Sequence, residues 1–247
     1  MITKIIHEDK IQKAHKYIEK GESFVIVTHV SPDGDAIGSA LGLFHFLNAY
    51  GKENVSVIVP NDYPNFLKWI PGTKDVTIYE KYPEFSEQLI SDADVIFCLD
   101  FNDPKRIEKL ADPVLKSEAR KVLIDHHLHP VEFCNVTMSY PSISSTSEMV
   151  FRFICRMGLF DLIDKNAAEC IYTGMMTDTG AFTYNSNHPE IYTIIGELIK
   201  LGINKDLIYR RINQVYSEGR LRLMGYVLYE KMKVHHDKQA AMIALSM

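Results

Sequence analysis

Short apolar runs alternate along this chain with segments whose apolar residues recur every three or four positions. The apolar runs predict strands at residues 24–30, 55–60, 94–100, 121–125 and 134–140, the last of them at a sheet edge. The helical spacing predicts an N-terminal helix closed by Gly21 and further helices at 35–50, 145–157, 165–176 and 188–201. Strands that alternate with helices in this way favour the α/β class, with a parallel sheet and flanking helices.

Two parts of the chain depart from this alternation. A turn-rich stretch with Pro64 and Pro71 follows the second strand. Residues 204–234 have a charged helical pattern, and residues 239–245 then predict one more strand. A single strand has no partner of its own, so we expect 239–245 either to return to the sheet or to begin a further domain.

Composition and charge exclude several functional classes. The 247 residues are 46% hydrophobic and carry 27 basic against 32 acidic side chains, so no strongly basic surface for duplex DNA is expected. No apolar run approaches the roughly 20 residues of a membrane span, and charges interrupt the N-terminus where a secretory signal would lie. The four cysteines have neither disulfide nor zinc spacing. These features predict a cytoplasmic protein with reduced thiols and no membrane contact.

Acidic and histidine residues follow three of the predicted strands. In parallel strands these positions share one edge of the sheet, the edge at which α/β proteins bind ligands. The first strand leads into His29, Asp33 and Asp35, another ends at Asp100, and a third ends in the triplet Asp125-His126-His127. Asp178 follows an apolar helix and would join them if the four segments converge.

Such a convergence would concentrate negative charge that the chain's own cations do not balance. Two carboxylates at about 4 Å repel by on the order of 4 kcal/mol at an effective dielectric near 20. Divalent cations would offset this, and oxygen-rich ligands with a few imidazoles favour Mn²⁺, with Mg²⁺ as the alternative. The turn at Pro32 and Gly34 would aim Asp33 and Asp35 at different ions, and Asp100 would bridge them. Two ions about 3.5–4 Å apart are the usual arrangement for phosphoester hydrolysis.

Several of these motifs also have a purely structural interpretation. Residues 32–35 match a common surface turn, and an Asp after a strand often caps a helix. Ser145 and Glu148 have the spacing of a capping box, while the hydroxyls of Ser145 and Thr146 would alternatively hold a phosphate. Arg106 would contact substrate or pair with an acidic neighbour. His235-His236-Asp237 is expected to be a solvated turn.

The motifs taken together resemble those of the DHH phosphoesterases. The triplet is Asp125-His126-His127, the first motif spans residues 29–36, the second is Asp100 with Asn102 to Arg106, and the fourth is residues 177–180. The resemblance covers about residues 15–235. Residues 144–150 and 177–184 resemble most the branch that degrades short oligoribonucleotides and removes a phosphate from 3′-phosphoadenosine-5′-phosphate (pAp).

The resemblance implies a set of roles for these residues. One Mn²⁺ would be held by His29, Asp33 and Asp100, and a second by Asp35, Asp100, His126 and Asp178. His127 would face the phosphate, Asp125 would orient His126 or His127, and Ser145, Thr146 and Arg106 would bind substrate. A water activated by two metal ions would attack phosphorus. Manganese pyrophosphatases and exopolyphosphatase-like hydrolases share the motifs, and a weakly catalytic nucleotide-binding regulatory module is a further alternative.

The resemblance also implies a domain organisation. Residues 1–200 would form the metal-binding phosphoesterase domain, 201–236 a helical linker, and 237–247 the first strand of a C-terminal substrate-binding domain. A glycine-rich GGGH-like motif typical of that domain is absent from this sequence, so we expect that domain to be missing. The implied partners are short single-stranded RNA or pAp, and a homodimer is compatible with the resemblance.

Overall fold

Six parallel strands form the central sheet in the computed structural model, which describes residues 4–245. The strands are β1 (Ser23–Val27), β2 (Asn54–Val59), β3 (Val76–Ile78), β4 (Val95–Leu99), β5 (Arg120–Asp125) and β6 (Val136–Ser139). Their order is β3-β2-β1-β4-β5-β6, and every neighbouring pair is parallel. The strand order reverses direction between β1 and β4, and such a switch point leaves a crevice for ligands at the carboxyl ends of the strands.

Helices cover both faces of this sheet. They are α1 (Glu8–Lys20), α2 (Gly34–Ala49), α3 (Pro83–Ser91), α4 (Ala111–Lys116), α5 (Thr146–Arg156), α6 (Lys165–Asp178), α7 (Pro189–Lys200), α8 (Lys205–Asn213) and α9 (Glu218–Tyr226). Successive strand residues point to opposite faces, so Phe24 and Ile26 join the core under α2, α5 and α6, whereas Val25 and Val27 join the core under α3 and α4. In the part of the chain described, no helix has both the length and the apolar character needed to cross a membrane.

The predicted α/β class and parallel sheet are confirmed. The N-terminal helix ends directly before Gly21, and the strand predicted at 134–140 is β6, at an edge of the sheet. All four cysteines are unpaired. The turn-rich stretch with Pro64 and Pro71 is followed by β3, and α3 comes soon after; neither element was predicted. β3 has only three residues, too few for a hydrophobic period to show.

The helical interpretation of residues 204–234 is wrong at its C-terminal end. After α8, α9 and a π-helical turn (Val227–Lys231), the chain forms β7 (Met232–His235), which pairs antiparallel with β8 (Ala240–Ile243). The predicted linker is therefore not helical as far as residue 236, because residues 232–235 form β7. The strand expected at 239–245 is the second strand of a hairpin, because its backbone groups pair with those of β7. Residues 246 and 247, the last two of the segment predicted at 237–247, lie outside the described part of the chain. The domain boundaries stay predictions.

Glycines bring α2 and α6 unusually close together. A Cβ atom on Gly34 would lie 2.4 Å from the Thr177 hydroxyl, and one on Gly38 would lie 2.6 Å from the Cys170 carbonyl oxygen. Both distances are shorter than any real Cβ contact, so these positions accept no side chain. The close approach places the start of α2, with Asp35, beside the end of α6, with Asp178.

Candidate metal centre

The carboxyl ends of β1 and β4 meet at the switch point and carry His29 and Asp100. His29 Nε2 lies 3.4 Å from Asp100 Oδ2 and 3.9 Å from Asp33 Oδ1. Asp33 caps α2, since its Oδ1 accepts hydrogen bonds from the backbone N–H groups of Asp35 and Ala36, each at 3.0 Å. Ligand atoms of His29, Asp33 and Asp100 all lie within 4.8 Å of one another, close enough to hold one cation.

A second group of candidate ligands lies on the other side of Asp100. His126 Nε2 is 3.4 Å from Asp178 Oδ2, 3.6 Å from Asp100 Oδ1 and 3.9 Å from Asp35 Oδ2. Asp35, His126 and Asp178 form a second set of mutually close ligand atoms. Asp100 thus turns one oxygen towards each set, and the structure brings together all six residues predicted as metal ligands.

The N-terminus of α5 fixes the carboxylate of Asp35. The backbone N–H of Thr146 donates to Asp35 Oδ2 at 2.6 Å, and that of Ser147 donates to Oδ1 at 2.8 Å. A helix N-terminus favours negative charge. Even so, burial and then the charges of Asp100 and Asp178 raise the pKa of Asp35 well above its usual range. The two backbone hydrogen bonds therefore do not outweigh the burial of Asp35 and the charges of its neighbouring carboxylates.

The pKa values of the two neighbouring carboxyl groups, Asp178 and Asp100, shift in opposite directions. Burial, and the charges of Asp100 and Asp33, raise the pKa of Asp178 to about 6. Burial also acts to raise the pKa of Asp100, but the hydrogen bond and charge of His29 outweigh it and the net pKa is lowered. Among residues 4–245, no Lys or Arg forms an ion pair with Asp33, Asp35, Asp100 or Asp178. A buried, oxygen-rich set of this kind fits divalent cations.

Asp125 contacts His127 rather than His126. Its Oδ1 lies 2.7 Å from His127 Nδ1, and its Oδ2 accepts a hydrogen bond from the His127 backbone N–H at 3.0 Å. This hydrogen bond is the main reason why the pKa of His127 is raised. The charge of the half-buried Arg106 acts in the opposite direction. Of the two orientations left open by the sequence, the geometry favours the pair Asp125–His127.

Ser145 and Thr146 hold other groups of the protein, and the substrate-binding role predicted for them stays a prediction. Both are fully buried. Ser145 Oγ caps α5 by accepting from the Glu148 backbone N–H at 3.0 Å, and the Thr146 hydroxyl donates to Asp100 Oδ1 at 2.9 Å. The N-terminus of α5 thus already binds the carboxylate of Asp35.

The sequence interpretation missed a buried ion pair behind this helix start. Glu148 Oε2 accepts hydrogen bonds from the backbone and hydroxyl of Ser144, at 3.2 and 2.6 Å, and Arg152 Nε donates to Glu148 Oε1 at 2.8 Å. Arg152 also pairs with Glu190 at 2.7 Å. An acid and a base four residues apart, among the apolar residues in the middle of the helix, were the signal that could have revealed the pair.

Strained backbone conformations lie close to the candidate centre. Asp100 has a φ of 65° and Ser31 one of 53°, and Ala181 and Phe182, which follow Asp178, have φ values of 58° and 63°. Non-glycine residues in this left-handed region are strained, and they persist where the surrounding structure imposes them. By contrast, residues 235–237 are exposed and lie at the hairpin turn, as expected for a solvated turn.

Comparison with known proteins agrees with the motifs. The family model described as "DHH family, N-terminal domain" matches residues 23–175. The chain is 35% identical over 203 residues to the bifunctional oligoribonuclease and PAP phosphatase NrnA of Thermus thermophilus, covering 82% of this chain and 57% of that protein. The protein of the same name from Bacillus subtilis is 27% identical over 212 residues, covering 83% of this chain and 61% of that protein.

A solved structure resembles almost the whole chain. The crystal structure of an exopolyphosphatase-related protein from Bacteroides fragilis superposes with a TM-score of 0.97 at 59% identity, over 99% of this chain and 71% of that one. The chain spans about three fifths of the length of the two curated relatives named above.

Proposed function

This chain belongs to the DHH family, and on that premise we propose that it is a manganese-dependent phosphoesterase. Its substrates would be short oligoribonucleotides, pAp or both. Support for this substrate class comes from the names of the Thermus and Bacillus relatives, which act as oligoribonuclease and PAP phosphatase.

One observation carries the proposal: four carboxylates and three imidazoles from four separate segments meet at one edge of the sheet. Asp100 lies between two ligand sets, with Oδ2 towards His29 and Oδ1 towards His126. We assign His29, Asp33 and Asp100 to one divalent cation, and Asp35, Asp100, His126 and Asp178 to the other. Mn²⁺ suits this mixture of oxygen and imidazole ligands, and Mg²⁺ is the alternative.

The residues of this chain would divide the hydrolysis among them. A pair of bound divalent cations supplies Lewis-acid chemistry, which activates water and neutralises charge on the phosphoryl oxygens. Because Nδ1 of His127 is held by Asp125, Nε2 is the nitrogen free to face the phosphoryl group, and it would donate a hydrogen bond when the imidazole is protonated. Arg106 would add positive charge beside His127. The α5 N-terminus would keep Asp35 in place throughout, through its two backbone hydrogen bonds.

A second candidate function is the hydrolysis of pyrophosphate or polyphosphate. The name of the Bacteroides relative, an exopolyphosphatase-related protein, favours it. The same two-ion chemistry would serve an anhydride bond, since the attacked atom is phosphorus in both cases. What distinguishes the candidates is whether the site also recognises a nucleoside.

The test is to measure turnover of a diribonucleotide, pAp and pyrophosphate in parallel, with Mn²⁺, with Mg²⁺ and with EDTA. We expect Mn²⁺-dependent release of product from the dinucleotide or pAp, and none in EDTA. Faster turnover of pyrophosphate would favour the second candidate. If the metal-loaded protein turns over none of the three and still binds nucleotide in EDTA, it is a regulatory module instead. Light scattering in the same buffers would test the predicted homodimer.

A further inference from the structure

A cavity of about 350 Å³ extends from Asp33 towards α8 and α9. Its lining includes the turn from Ser31 to Gly34 together with Thr177, and also Phe66, Asn213 and Arg220. The volume is at the lower end of the range for small-molecule sites, which is about 300–1,000 Å³. The cavity therefore opens directly beside a residue that we assign to the metal centre.

Arg220 gives this cavity an unbalanced positive charge. Its guanidinium stacks on the ring of Tyr216 at 4.9 Å, and among the described residues no carboxylate lies within ion-pair distance of it. Arg222, two positions later on the same helix, is neutralised by Glu218, with Nε at 2.7 Å from Oε1. Asp33 is the single acidic residue among those that line the cavity. The two arginines of α9 thus differ in environment, and only Arg220 borders the cavity.

The lining suits a nucleotide unit. An arginine fork binds phosphate with two parallel hydrogen bonds. Phe66 and Ile212 offer an apolar surface for a sugar or a base, and Asn213 offers an amide for polar edges. The same space is lined by one candidate metal ligand, Asp33, and by a phosphate-binding group, Arg220, so a nucleoside with two phosphate groups matches the chemistry of both residues.

We propose that this cavity binds the nucleoside that adjoins the scissile phosphate, with its second, non-scissile phosphate on Arg220. The inference rests on the proposed function and adds to it the basis of substrate choice. An oligoribonucleotide and pAp share one feature, a ribose flanked by two phosphate groups, and this cavity selects for that feature. Pyrophosphate lacks the nucleoside and would leave the cavity unused.

Kinetics of Arg220→Ala test the inference against Arg222→Ala as a matched control on the same helix. The substrates are pAp, which has a second phosphate, and bis(p-nitrophenyl) phosphate, which does not. We expect Arg220→Ala to raise the KM for pAp about ten- to hundredfold more than the KM for the synthetic diester, since a charge-assisted contact is lost. Arg220→Lys, which retains the charge, should recover part of the loss. Arg222→Ala should change neither KM.

Calorimetry separates this inference from the proposed function. With Ca²⁺ replacing Mn²⁺, pAp should bind the wild-type chain at least about tenfold more tightly than adenosine 5′-phosphate, and Arg220→Ala should abolish the difference. Equal affinities in the wild type, or equal effects of Arg220→Ala on both kinetic substrates, would overturn the cavity assignment even in an active enzyme. A protein that hydrolyses neither substrate but binds pAp preferentially would overturn the proposed function and leave the cavity assignment standing.

Discussion

The backbone N–H of Thr146 donates a 2.6 Å hydrogen bond to Oδ2 of Asp35, a residue 111 positions earlier in the chain. The first turn of α5 therefore binds the carboxylate of a residue in the first turn of α2. Two N–H groups from one helix end fix both oxygens, so the geometry of Asp35 is set before any cation binds. This arrangement buries the carboxylate of Asp35 beside those of Asp100 and Asp178. Cations bound at the centre would offset the resulting repulsion.

Replacing Asp178 by Asn should remove most of the metal-dependent stabilisation without weakening the metal-free fold. The substitution removes a charge that repels Asp100 and Asp33, so the melting temperature in EDTA should stay equal or rise. The wild type should gain about 2.7 kcal/mol of unfolding free energy at Mn²⁺ concentrations a hundredfold above Kd, and the variant should lose most of that gain. Thermal unfolding with and without Mn²⁺ measures both effects. Asp161→Asn, at an exposed carboxylate, is the control and should respond to Mn²⁺ as the wild type does.

Asp100→Asn should reduce kcat by at least about a hundredfold. Mutation of residues that merely orient metal ligands typically lowers metal affinity or activity about 10- to 100-fold. Asp100 faces both ligand sets directly, so a larger loss is expected. Asn tolerates the left-handed backbone at this position, where φ is 65°, so circular dichroism should show an unchanged fold. Near-wild-type turnover at saturating Mn²⁺ would remove Asp100 from the centre.

Asp125→Ala should lower kcat by about 10- to 100-fold while the affinity for Mn²⁺ changes little. The carboxylate binds both the ring and the backbone of His127, and its loss would free the imidazole to rotate. Steady-state kinetics and a metal titration distinguish these effects. His129→Asn provides a control in the same loop, because His129 is exposed and Asn accepts its φ of 58°. An equal loss in the control would mean that the loop, not the pair, matters.

The candidate ligands were predictable because sheet geometry places them. An apolar run marks a buried parallel strand, and the residue after it must lie at the shared edge, so His29, Asp100 and Asp125 could be placed together from the sequence. The prediction for Asp178 depended on a weaker argument. This residue reaches the centre because Gly38 lets α2 and α6 approach closely. The hydrophobic periodicity of the sequence carries no information on the distance between these two helices.

Other features depend on contacts between segments that no local pattern reports. Thr146 looked like a phosphate ligand because a helix start binds anions, but here the anion is Asp35 from a distant segment. Arg152 pairs with Glu190, 38 residues away. Arg220 lines the same cavity as Asp33 because the chain after α8 turns back towards it. β7 was hidden because its four residues follow a long helical pattern and acquire their partner later in the chain.

Arg152→Met should destabilise the fold by about 3–5 kcal/mol, because it leaves the charge of Glu148 buried without its partner. Glu148 and Arg152 are 1% and 4% exposed. The double variant Glu148→Gln/Arg152→Met removes both charges and should recover much of the loss. Urea unfolding of the wild type and the two variants measures this difference. A double variant as unstable as Arg152→Met would show that lost packing, rather than the unpaired charge, is responsible.

Gly38→Ala should destabilise the protein and weaken its metal centre together. The added methyl group would lie 2.6 Å from the Cys170 carbonyl oxygen and 2.8 Å from the Gly174 nitrogen. Both are backbone atoms, so relief requires α2 and α6 to move apart, at a cost of about 1–3 kcal/mol. That movement would separate Asp35 from Asp178, which lie on these two helices, and the affinity for Mn²⁺ should fall as well.

Gly196→Ala is the matched control, since Gly196 lies inside α7 and a Cβ there would meet no atom within 4 Å. Ala is a better helix former than Gly, so this variant should be up to about 1 kcal/mol more stable than the wild type, with unchanged Mn²⁺ affinity. Urea unfolding and metal titration of both variants give the comparison. If Gly38→Ala loses stability but keeps its Mn²⁺ affinity, the spacing of α2 and α6 serves the core alone. If it is as stable as Gly196→Ala, the helices are not in the close contact described.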